Sequence, residues 1–160
     1  EYIARAISTT IFSNKKWQPL QPALVEWSDT EIVISGWNPR GDRLVIDNAL
    51  CASTWNAGLD LFSPDDALLD IISSVTVTDK TTITVALSSP APANAILCCG
   101  RGRDSAMGPG FGGPQTGPRT NIRDNHGDYD AATSPLGNTF KLHNASVLWQ
   151  YSRRDGFNAI

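Results

Sequence analysis

From residue 23 onward, short apolar runs alternate with turn residues at roughly ten-residue intervals, the pattern of half-buried strands. It predicts strands at Ala23–Trp27, Glu31–Ser35, Leu44–Asp47 and Leu59–Phe62. One or two more fall in Leu68–Val77, then Thr81–Ser88, Asn94–Cys99 and a long or bent strand within Thr139–Tyr151. In VTVTDKTTITVALSS, Val75 and Val77 alternate against Ile83, Val85 and Leu87, with threonines on the other face and Asp79-Lys80 as the turn. Asn38-Pro39-Arg40-Gly41-Asp42 is a strong turn signal. The unbroken apolar run of Asn94–Cys99 predicts burial on both faces.

Residues 1–12 differ. Tyr2, Ile3, Ala6, Ile7, Thr10 and Ile11 recur at helical spacing, Asn14 suits a C-cap, and Lys15 and Lys16 suit the negative end of a helix. Pro19 and Pro22 forbid continuation. A helix this short needs a packing partner. It is expected to close a preceding domain or to brace the sheet, so 1–16 forms one unit and 17–160 the β-sandwich domain. About eight or nine short strands with turn chemistry between them describe an antiparallel β-sandwich, Ig-like or jelly-roll-like, with one short N-terminal helix.

Gly100–Asp130 interrupts the strand rhythm as a glycine-rich loop of about 30 residues, long for a compact domain. Phe111, Ile122 and Tyr129 anchor it, and Arg119–Asp124 reads as an edge strand pinned by an Arg123–Asp124 pair. Its flanks, 100–118 and 125–130, are then the expected mobile surfaces for a partner.

Composition narrows the classes. In 160 residues, 41% hydrophobic and 18% charged describe an ordinary globular chain with room for a core. A net charge of -3, with basic residues in scattered pairs, argues against nucleic acid as a partner. The apolar runs are far short of the roughly 20 residues that span a bilayer, and Glu1-Tyr2 opens no signal peptide. Without an initiator methionine, the chain is expected to be a processed product or part of something longer. Cys51, Cys98 and Cys99 read as small buried hydrophobes, although one of the adjacent pair is placed to meet Cys51. No C-x-x-C occurs.

Candidate chemistry is sparse. G-x-S-x-G is absent, and the Gly-Asp pairs at Gly41 and Gly127 are not followed by serine. His126 and His143 are the available bases, with no spacing that pairs either with a nucleophile. Asp124-Asn125-His126-Gly127-Asp128-Tyr129-Asp130 resembles a calcium loop in ligand density, with Asp124, Asp128 and Asp130 as the weak metal alternative. It lacks the closing glutamate, and a self-capping turn is the plainer reading. Five tryptophans are many for a small sandwich. Exposed aromatic rings stack on sugars, and Trp37 and Trp55 lie in turn-like contexts, whereas Trp27 and Trp149 lie in strands and Trp17 beside the helix. The candidate ligand-binding set is Trp37, Trp55, Arg119, His126 and Tyr129. Asn144-Ala145-Ser146 matches a glycosylation sequon.

The order KKWQPLQP, ALVEWSDTEIVISGWNPRGDRLVID, WNAGLDLF, SVTVTDKTTITVALSSPAPANAILCCG, GPRTNIRD and FKLHNASVLWQ resembles the C-terminal β-sandwich portion of phage and bacterial SGNH (GDSL)-type hydrolase-like proteins. The Arg-x-Asn-x-Arg-Asp element of that pattern is matched by Arg119 to Asp124. The resemblance implies a tail-fibre or other virion-associated protein, made in the bacterial cytoplasm. Its partners would be host-surface glycan or other virion proteins, beside an upstream hydrolase domain, and a homo-oligomer fits that setting. The family's catalytic blocks would precede Glu1, so no catalytic residue carries over. An esterase whose catalytic residues lie upstream and a purely structural assembly module are the competing expectations.

Overall fold

The computed structural model describes residues 7–12, 14, 18–49, 53–102, 119–141, 143–153 and 158–159. Trp17, Lys15, Lys16, Cys51, Phe111 and most of the glycine-rich loop lie outside them. Among the described residues the chain is mainly β, an antiparallel sandwich.

One sheet has five strands in the order β13 (Asn158–Ala159), β1 (Leu24–Trp27), β2 (Glu31–Ser35), β7 (Thr82–Leu87) and β6 (Ile72–Asp79). The other has four: β12 (Trp149–Ser152), β8 (Ile96–Cys99), β4 (Leu59–Phe62) and β5 (Leu68–Leu69). Two ribbons complete the set, β3 (Leu44–Ile46) with β9 (Ile122–Asp124) and β10 (Ala131–Thr133) with β11 (Thr139–Lys141). Among the described residues no helix is long and apolar enough to cross a membrane.

Period-two alternation places the core. Ile32 and Ile34 on β2, and Ile83, Val85 and Leu87 on β7, turn inward while their neighbours are more exposed. They meet Leu59 and Leu61 of β4 and Leu97 and Cys99 of β8 in one cluster with Leu20, Val25, Trp37, Leu44 and Ile122. Each fully buried aliphatic side chain contributes about 1.5–3 kcal/mol. Leu97, Cys98 and Cys99 are all buried, so β8 is covered on both faces as its apolar run predicts. Both cysteines are free, and burial pushes the Cys99 thiol up to about 11.

In the β6–β7 hairpin, Val75 faces Val85 and Val77 faces Ile83, and the Thr78 and Thr84 hydroxyls lie 3.0 Å apart on the other side. Asp79 pairs with Thr82, so the turn is Lys80-Thr81, one residue later than the sequence predicts. Leu68–Val77 divides into β5 and β6, and the Thr139–Tyr151 stretch into β11 and β12. Of the expected N-terminal helix, residues 7–12 are described, and they are helical. Ser8–Phe12 is a single π-helical stretch, and Ile7, Ile11 and Phe12 are exposed instead of bracing the sheet.

Candidate functional site

The RTNIRDN segment is a buried polar hub. It carries acceptors and donors every residue or two, and the fold brings three distant loops to meet them. The Asp124 carboxylate has no exposed surface; it accepts from the Arg40 N–H at 2.7 Å, the Asn144 Nδ2 at 3.0 Å and the His126 N–H at 3.1 Å. Asn125 Oδ1 accepts from the N–H groups of Asp42 (2.9 Å) and Arg43 (3.2 Å). Gly41 is required here, because a Cβ at that position would overlap Asn125 Oδ1. Asn121 accepts from the Thr54 N–H at 3.0 Å and donates to the Asp47 carbonyl at 2.9 Å.

Arg123 is pinned, but not as the sequence predicts. Its Nε donates to Asp47 Oδ2 at 2.6 Å and its Nη2 to Asp128 Oδ1 at 2.9 Å. Its Nη1 reaches the main-chain carbonyl of Asp124, not the carboxylate, at 2.7 Å. Adjacent residues of a strand point to opposite faces, which separates the Arg123 and Asp124 side chains. Nor is the strand an edge: β9 pairs with β3 on one side, and Arg123 bridges to Ala145 on the other. The flank 125–130 is partly packed: Asn125 and Gly127 are buried and a 3-10 turn runs through His126–Asp128, while Asp128 and Tyr129 are exposed.

The hub places two of the five candidate residues at one loop. Trp55 opens a 3-10 turn, Trp55–Gly58, and is 69% exposed. Asn56 (φ 49°), Ala57 (φ 57°) and Gly58 (φ 90°) are successively left-handed. That conformation costs an alanine about 1–2 kcal/mol. Opposing it, the Ala57 carbonyl accepts from Thr120 Oγ1 at 2.9 Å and the Asn121 N–H at 3.0 Å, and the Gly58 carbonyl accepts from the Gly100 N–H at 2.7 Å. Arg119 stands beside the same loop, donating through Nη2 to the Ser53 carbonyl at 3.1 Å.

His126 and Tyr129 form a second pair, their rings edge-on at 5.5 Å, with Tyr129 61% exposed. His126 Nε2 lies 2.7 Å from Asp130 Oδ2. Desolvation, then the carboxylates of Asp42, Asp124, Asp130 and Asp128, pushes the Tyr129 phenol up.

The fifth candidate, Trp37, is a correction. It is 3% exposed and packs edge-on to Trp149 at 6.0 Å, so it is core and offers no stacking face. The metal alternative is also corrected. Asp124 is held by amides, Asp128 by Arg123 and Asp130 by His126. Among the described residues no three His, Cys, Asp or Glu side chains converge to hold an ion. Asn144 of the sequon is buried on Asp124, so the folded chain does not present it.

Sequence reasoning missed an open groove between β3, β9 and β11. Val45, Ile46, Asp47, Asn48, Ala49, Arg123, Asp128, Lys141 and His143 line about 490 Å³. Its residues come from three separated stretches, and no motif joins them. The His143 ring packs on Gly127, where an added Cβ would stand 2.5 Å from Nδ1. Burial, then the Arg123 cation, pushes its pKa down.

The chain matches no protein-family model, no curated protein and no solved structure.

Proposed function

We propose that this domain is an accessory β-sandwich of a virion-associated phage protein and that it binds host-surface carbohydrate through Trp55, with Arg119 at its side. The observation that carries the reading is the Trp55 ring, largely exposed on a loop held by five hydrogen bonds from and around the hub, three of them on its left-handed residues Ala57 and Gly58. Backbone strain of this kind persists where surrounding structure over-determines it, and it clusters at ligand clamps. A rigid indole meets a pyranose face at little entropic cost, and the Arg119 guanidinium, which donates to the Ser53 carbonyl two residues before Trp55, would add a directional donor group to the same loop. The virion setting rests on the likeness of the sequence to SGNH-type hydrolase-associated sandwiches. In the same reading, exposed Ile7, Ile11 and Phe12 are the surface against which an adjacent hydrolase domain would sit.

The test is retention on an array of bacterial surface glycans. Trp55→Ala is expected to abolish it while changing stability by no more than about 0.5 kcal/mol, as for other exposed positions. Undiminished retention by the folded variant would overturn the reading.

A further inference from the structure

The groove between β3, β9 and β11 is separate from Trp55, which is not among its lining residues. Its volume falls in the range of small-ligand clefts, about 300–1,000 Å³. Val45, opposite Arg123 on the groove side, and Ala49 provide apolar lining, while Ile46 turns its side chain to the core; Asn48, Asp128, Lys141 and His143 supply polar groups around it. Asp47 and Arg123 are committed to each other at 2.6 Å, which makes that wall rigid.

The charges decide the ligand class. Two carboxylates, Asp47 and Asp128, balance two cations, Arg123 and Lys141, and the depressed pKa of His143 leaves the imidazole neutral at pH 7. An anion entering the groove meets Asp128, still 46% exposed beside Arg123. A cation meets Lys141 and finds no converging ligand set among the described residues. A neutral polyol meets no like charge, because each hydroxyl both donates and accepts and so matches carboxylate, ammonium, amide and imidazole alike.

We propose that this groove is a binding site for a neutral sugar, whose hydroxyls pair with Asp128, Lys141, His143 and Asn48 while a C–H face rests on Val45 and Ala49. The site shares the carbohydrate reading given above but does not depend on Trp55.

The experiment is an amide NMR titration of the full chain with three neutral tetrasaccharides (a β-1,4-glucan, an α-1,4-glucan and a chitin oligomer) and with tetragalacturonate. At least one neutral oligomer is expected to shift Asn48, Ala49 and Lys141, and tetragalacturonate none of them. Ala49→Trp fills the groove from an exposed position and should raise Kd about tenfold or more, whereas Trp55→Ala should alter groove binding less than about twofold. Asp128→Asn keeps an acceptor for Arg123 and leaves a net positive groove, so it should gain tetragalacturonate binding. Groove shifts with tetragalacturonate alone, or none with any neutral oligomer, would overturn the proposal. Shifts confined to the Trp55 loop would overturn it while leaving the Trp55 reading intact.

Discussion

Asp124→Asn is a near-isosteric change at the centre of the hub, and its cost can be worked from three hydrogen bonds. Oδ2 serves two donors, the Arg40 N–H and Asn144 Nδ2, while Oδ1 serves the His126 N–H. An asparagine has one carbonyl oxygen. Its best orientation keeps that oxygen on the two-donor side and turns its NH2 toward the His126 N–H, donor against donor. Two bonds then fall from the charge-assisted range of about 1.5–3 kcal/mol to the neutral range of about 0.5–1.5. The third leaves an unsatisfied buried donor, at about 1–3 kcal/mol. The expected loss is about 3–6 kcal/mol, a large share of the roughly 5–15 kcal/mol that holds a domain together. Urea unfolding should show a lower midpoint with an unchanged slope, and Tm should fall by about 6–24 °C. Asp29→Asn, at an exposed turn, is the control and should stay within about 0.5 kcal/mol. A loss below about 1 kcal/mol at Asp124 would refute the view that its carboxylate is the structural centre of these loops.

Two further outcomes follow from the same region. Arg123→Lys should destabilise nearly as much as Arg123→Ala, about 3 kcal/mol or more, because an ammonium cannot span Asp47, Asp128 and the Asp124 carbonyl as the planar fork does; full stability in the lysine variant would show that only charge matters. His143 has a depressed folded pKa, so below its ordinary value of 6.5 the unfolded chain binds more protons and stability should fall as pH drops, levelling off below the folded pKa. His143→Gln should flatten that slope between pH 7 and 5 in urea titrations, and an unchanged slope would assign it to other groups.

The strands were legible because their signal is local. Alternation in β2 and β7 depends only on residues two apart, so Ile32, Ile34, Ile83 and Val85 declare both the element and its buried face. The two brief strands β10 and β13 were not legible, being too short to show a period. The site was legible only as a region. Gly100–Asp130 stood out by composition, and its RTNIRD core is indeed the point at which loops converge.

What the amino-acid order determined, then, is the antiparallel sandwich, most strand positions, the β6–β7 pairing and the buried character of β8. Tertiary structure alone decided which of two tryptophans in similar turns is buried: Trp37 lies against Trp149, more than a hundred residues along the chain, whereas Trp55 is largely exposed. It alone decided that Asp124 is a buried acceptor, since its partner at Arg40 is 84 residues away. It also assembled the groove, whose walls come from β3, β9 and β11. The physical reason is common to all three. Side-chain periodicity is written between neighbours in the chain, whereas burial and hydrogen-bond partners of polar and aromatic groups are set by what the folded sheets bring beside them.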